Sequence, residues 1–143
     1  MLKNLTRRAT RQGVQAAVAV AAIVATVFVA PSAHAADPST KFRLEYGASY
    51  AYGTLRWHQR SVDVDVTLNA SYCRQLEAYP FDRNGVGHPM GETPGVCNGI
   101  VSGTINLPVN VPGGAAIVRL DLIDEKGKLL VSKPCRPSAD CDR

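Results

Sequence analysis

Between residues 61 and 69 every second position is apolar: Val62, Val64, Val66 and Leu68 face one way, Asp63, Asp65 and Thr67 the other. A period of two marks a β-strand with one face in a core and one in water. That half-buried pattern belongs to antiparallel sheets. The period returns at Ile105, Leu107 and Val109, and at Val118, Leu120 and Leu122 with Arg119 and Asp121 between them. Residues 72–81 and 129–132 read as further strands. Upstream, Phe42, Leu44, Tyr46, Tyr50 and Tyr52 share one parity, whereas Leu55 and Trp57 take the other. A parity switch at Gly53 predicts a β-bulge there. Turn signals fall at Asn84-Gly85, Val111-Pro-Gly-Gly114 and Asp124-Glu-Lys-Gly127.

Six or seven short strands with almost no helical periodicity make an all-β domain. Single-faced strands bury their apolar sides economically in two packed antiparallel sheets, so the expected fold is an immunoglobulin-like β-sandwich. A small closed barrel is the alternative. The antibody pattern of Cys, Trp and Cys is absent, because Trp57 precedes every cysteine.

The first 36 residues do not fit this pattern. Residues 1–12 carry Lys3, Arg7, Arg8 and Arg11 and no acid, and 14–30 are apolar apart from Gln15 and Thr26. Ala33-His34-Ala35 follows. A basic head, an apolar middle and an A-x-A site predict a signal-peptide helix cleaved after Ala35 or Ala36. Arg7-Arg8 suggests the twin-arginine route, but Thr10 stands where such signals carry a large apolar residue. An uncleaved anchor is the rival reading of the apolar run. Residues 37–143 then form one exported domain.

Removing the leader changes the charge. The whole chain has 16 Lys and Arg against 12 Asp and Glu. Four of the basic residues lie in the leader, which leaves the domain formally neutral. A nucleic-acid binder shows a basic stripe on its domain; none is visible here, and no acidic-membrane surface is implied.

All four cysteines, Cys73, Cys97, Cys135 and Cys141, follow the leader. An even count in a small exported domain implies disulfides. The spacing lacks a C-x-x-C pair, so zinc is not expected, and no metal or cofactor is assigned. Folding the chain about Gly85 sets Cys73 opposite Cys97, which leaves Cys135 with Cys141. Each bridge contributes roughly 2–3 kcal/mol by loop entropy.

The segment Gly53-Thr-Leu-Arg-Trp57-His58-Gln-Arg60-Ser61-Val62, with Cys73, Cys97 and the Val111-Pro-Gly-Gly114 turn, resembles small exported actinobacterial β-sandwich proteins of uncharacterised function. The resemblance spans most of the domain and implies a secreted sandwich. It carries no catalytic residue onto any position.

Candidate chemistry is sparse. His58 with Ser61 and Asp63 or Asp65 evokes a nucleophile–base–acid set, but a hydrogen-bonded strand histidine fits the pattern better and no nucleophile elbow exists. Asp63, Asp65 and Asp121 suggest calcium, yet a site needs six to eight oxygens and usually a loop. Tyr46, Tyr50, Tyr52 and Trp57 are candidates for stacking on sugar rings, since such side chains offer flat apolar faces with polar tips. The rival reading places Trp57 in the core and the tyrosines around its rim. The segment 82–96, with Asn84, Gly85 and His88, is a stapled loop of the kind that carries recognition.

These features predict a non-catalytic binding module for an extracellular protein or cell-envelope glycan. The alternative is a secreted inhibitor of an extracellular hydrolase, in which a pre-organised loop lowers the entropic cost of binding. The predicted binding residues are Asn84, Gly85, His88 and Trp57.

Overall fold

The clean alternation at 61–69 opens the longest strand of the molecule. The computed structural model describes residues 36–137 and 139–141. In chain order they form β1 (Ser39–Tyr46), β2 (Ser49–Trp57), β3 (Ser61–Phe81), β4 (Gly91–Glu92), β5 (Val96–Pro108), β6 (Ile117–Asp124) and β7 (Leu129–Cys135). These residues include no helix, and so none long and apolar enough to cross a membrane. The leader expected over residues 1–36 lies, apart from Ala36, outside the described residues.

The all-β, antiparallel expectation holds, but the described residues form one sheet and not the two packed sheets of the expected immunoglobulin-like sandwich. The strands belong to one sheet, with the path β1-β2-β3-β6-β7 and with β4 and β5 also paired to β3. Leu68 pairs with Ala51 of β2 and Val101 of β5, which must therefore lie on opposite edges of β3. Arg74 likewise pairs with Val96 of β5 and Asp124 of β6. So β2 and β6 follow one another along the same edge.

That arrangement coils the sheet until its ends meet. The tail after β7 returns to β1: the Cys141 amide donates to the Lys41 carbonyl at 2.9 Å, and the Thr40 hydroxyl donates to the Arg136 carbonyl at 2.8 Å. The result is nearly a barrel. Phe42, Leu44, Leu55, Leu68, Leu76, Leu107, Leu120 and Leu122 fill its interior.

Two expectations about the strands are corrected. The runs at 61–69 and 72–81 are one strand, with a register shift between Ala70 and Cys73. Ser71 and Tyr72 there oppose the single residue Asn98, whose φ is 47°. One extra residue on one side of a ladder is a bulge, which bends the strand and strengthens its twist. The bulge expected at Gly53 does not form. Gly53 stays in register between Phe42 and Val66. The parity changes instead in the two-residue turn Gly47-Ala48, where Gly47 takes a φ of 59°. Ala51, Leu55 and Trp57 consequently face inward.

A glycine is required at position 53 by close approach. A Cβ there would fall 1.8 Å from the Asp65 carbonyl oxygen.

Two hairpin turns share one construction. In Asp82-Arg-Asn-Gly85-Val86, the Asp82 amide donates to the Val86 carbonyl and the Gly85 amide to the Asp82 carbonyl. Asp124-Glu-Lys-Gly127-Lys128 repeats both bonds. In each turn one aspartate oxygen accepts two further amides, from Asn84 and Val86 or from Lys126 and Lys128. In each, the glycine is left-handed, at 78° and 73°. Aspartate at the first position and glycine at the fourth satisfy the backbone where the ladder stops.

The disulfides are Cys73–Cys97 and Cys135–Cys141. Cys73 and Cys97 are register partners, as folding about Gly85 requires. Two such bridges fit an oxidising compartment.

Candidate functional site

Three places combine chemistry with access. The broadest is the outer face of β1, β2, β3 and β5. Because Ala51 and Leu55 point inward, Tyr50 and Tyr52 project outward. Their rings are stacked, with centroids 6.1 Å apart and planes inclined by 28°. Tyr52 is 44% exposed. Arg43 of β1 lies over the Tyr50 ring at 4.9 Å, and Asn69 donates to the Tyr50 hydroxyl at 3.2 Å.

Cross-strand register extends this pair into rows. Tyr52 is opposite Thr67, which is opposite Ser102; their two hydroxyls are 2.9 Å apart. In the next row, Thr54 is opposite Asp65, which is opposite Thr104, and Thr104 donates to Asp65 at 2.6 Å. An open depression of about 370 Å³ runs over these two rows. A third row joins Arg56, Asp63 and Asn106, with Asn106 donating to Asp63 at 2.7 Å. Flat rings beside hydroxyl, amide and carboxylate groups form a surface that can stack and hydrogen-bond at once.

The second place is at the end of β2. Nδ1 of His58 lies 2.6 Å from Asp37 and Nε2 lies 3.2 Å from Asp63. The Asp37 bond chiefly, with Asp63 adding to it and partial burial opposing, raises the His58 pKa above 6.5. The Asn106 bond, helped by His58 and Arg56 and opposed by burial, holds the Asp63 carboxyl below its usual range. Both ring nitrogens are thus engaged by carboxylates, and Ser61 meets His58 only through its backbone carbonyl. A Ser–His–Asp relay is not assembled.

Beside His58 is a cavity of about 380 Å³ whose lining includes Trp57, Asp37, Arg83, Gly113 and Pro137. Trp57 is only 4% exposed, and its indole N–H donates to the Thr40 hydroxyl at 2.9 Å. It belongs to the core and is not an outer stacking platform. Gly113 and Gly114, with φ of 88° and 59°, carry the Val111-Pro-Gly-Gly114 turn past His58 and Gln59. A Cβ on Gly114 would sit 2.7 Å from the Gln59 carbonyl oxygen.

The third place is the β3–β4 hairpin tip. Asn84 and Gly85 build the turn around Asp82, and His88 Nε2 lies 3.3 Å from Asp82. The Val86 amide leads the causes that hold Asp82 below its usual range. Asn84 and Gly85 therefore lie in this turn and His88 meets its aspartate, whereas Trp57 lies in the barrel end. Arg83, from the same turn, connects them by reaching the Trp57 cavity.

Other candidates separate. Asp121 is not with Asp63 and Asp65: it is held on β6 by Arg119 and Ser132. Tyr46 flanks Arg74, whose guanidinium is 5.8 Å from its ring and 5.5 Å from that of Tyr72. Sequence reasoning missed Thr67, Ser102, Thr104 and Arg83 as parts of sites. Parity with Ile105 and Leu107 marks Ser102 and Thr104 as outward, but nothing local brings Arg83 to Trp57.

Comparison with protein-family models, curated proteins and solved structures finds no match to this chain.

Proposed function

We propose that this chain is an exported, non-catalytic binding domain that engages cell-envelope glycan through the outer face of β2, β3 and β5. The observation that carries the reading is the outward pair Tyr50 and Tyr52 beside the polar rows of Thr67, Ser102, Asp65 and Thr104. A tyrosine ring stacks on the C–H face of a sugar while neighbouring hydroxyl and carboxylate groups bond its hydroxyls. The leader pattern, the two disulfides and the resemblance to small exported actinobacterial proteins all suit an extracellular site of action. The engagement of both His58 nitrogens supports binding over catalysis. Co-sedimentation of the oxidised domain with insoluble cell-wall glycan tests the proposal; a domain that stays in the supernatant contradicts it.

One observation favours a second reading, an inhibitor of an extracellular hydrolase. Val86 and Met90, on the stapled 82–96 segment, are 56% and 39% exposed. Apolar side chains on a pinned hairpin suit insertion into a protein cleft. Substituting both with serine would abolish inhibition and leave glycan binding intact.

A further inference from the structure

We propose that the cavity floored by Trp57 is a binding site for a small carboxylate with an apolar body, its carboxylate held by Arg83. This inference is independent of the glycan reading, because the site lies at the end of β2 and uses none of the outward tyrosines.

The cavity, at about 380 Å³, has the volume of a small-molecule site. Its apolar lining comes from Trp57, Pro38, Ala115, Ala116 and Pro137. The one polar atom of the indole ring is already bonded to Thr40, so the ring offers the cavity only its hydrocarbon surface. Trp57 and Ala115 are already buried, so a ligand body gains apolar burial energy mainly by displacing water from Pro38, Ala116 and Pro137.

Three ionisable groups line the same cavity: Asp37, His58 and Arg83. Asp37 and His58 are bonded to each other, and the second nitrogen of His58 is bonded to Asp63. Arg83 is different. Arg56, Arg60 and Arg119 are each tied to a side-chain oxygen, whereas Arg83 has no hydrogen-bond or ion-pair partner among the described residues. Its guanidinium lies against Gly113, where a Cβ would come within 3.5 Å of the guanidinium carbon. The cavity therefore combines apolar lining with one guanidinium that has no partner among the described residues. A guanidinium fork matches a carboxylate through two parallel N–H···O bonds.

The backbone around the cavity is held before any ligand arrives. Gly114 packs its backbone on Gln59, and Arg83 is carried by the Asp82 turn, which is closed by backbone and aspartate bonds. Pre-organisation of this kind reduces the ordering cost of binding.

The test uses the chain's single tryptophan as reporter. Trp57 fluorescence of the oxidised domain is followed during titration with cyclohexanecarboxylate, a free acid, and with N-acetyl-leucine, a mimic of a peptide C-terminus. Cyclohexanecarboxamide and N-acetyl-leucinamide are the neutral controls. At least one acid should saturate with a Kd of about 1 mM or tighter. Its amide should bind at least about tenfold more weakly, a difference of about 1.4 kcal/mol. Arg83→Gln should lose that preference while its thermal midpoint and its binding of the amide stay unchanged. The tighter acid identifies the source of the carboxylate. Equal binding of acid and amide, an unaffected Arg83→Gln variant, or no saturation by either acid up to about 50 mM overturns the proposal.

Discussion

The hydroxyl of Thr40 accepts the indole N–H of Trp57 at 2.9 Å and donates its own proton to the carbonyl of Arg136. One buried group on β1 thus ties the end of β2 to the tail that closes the barrel. Thr40→Val keeps the shape but orphans the buried indole donor, at a cost of about 1–3 kcal/mol. Trp57→Ala costs more, about 3–5 kcal/mol, because it opens a cavity in the core. Urea unfolding of both variants checks the order; a Trp57→Ala domain as stable as the parent would contradict the core assignment.

Gly53 gives a second prediction. Its missing Cβ leaves room for the Asp65 carbonyl, so Gly53→Ala forces β2 and β3 apart. Overpacking of this kind costs about 1–3 kcal/mol. Gly103→Ala is the control, since a Cβ there meets nothing within 4 Å. Equal melting temperatures for the two variants would show that β2 and β3 are not this close.

The bridge between Cys73 and Cys97 closes a loop with a sequence separation of 24. Replacing both with serine should lower stability by about 3 kcal/mol. The bridge between Cys135 and Cys141, separated by 6, closes a smaller loop, and its loss should cost about 2 kcal/mol. Denaturant midpoints of the two double-serine variants test the ranking, and a reversed order would refute it.

His58 sets a pH dependence. Its folded pKa lies above the ordinary 6.5, chiefly through Asp37. A raised histidine binds its proton more tightly in the folded state. Its contribution is therefore complete below about pH 6.5 and is lost as pH rises through the folded value. Asp37→Asn should move the value back down. An NMR titration of the His58 ring follows both proteins; a parent value at or below 6.5 would contradict the geometry.

The strand pattern at 61–69 was legible because it is purely local: period two, uninterrupted, with acids outside. The same holds for the Asp–Gly turns, whose bonds close within five residues. The pairing of Cys73 with Cys97 followed from the turn between them. The facing of Tyr50 and Tyr52 did not, because aromatic residues suit either side of a sheet and Gly47-Ala48 reverses parity without a Pro or Asn marker. The coiling of the sheet was also illegible. It depends on the bulge of Ser71 and Tyr72 against Asn98, and on bonds from Cys141 and Arg136 to β1, which join residues about a hundred positions apart. Arg83 and Trp57 line one cavity beside the 109–116 connection, which bonds to Arg60 at one end and Phe81 at the other, a placement no local pattern announces.

The most direct measurement is the affinity of the oxidised domain for cell-wall glycan, with and without the outward rings. Tyr52→Ala, Tyr50→Ala and the double variant are compared with the parent by co-sedimentation, with near-ultraviolet circular dichroism confirming the fold. The parent should bind, Tyr52→Ala should bind about tenfold more weakly, and the double variant should weaken further, since one lost stacking contact is worth about 1.4 kcal/mol. A folded double variant that binds as tightly as the parent would contradict the outer face as the binding surface.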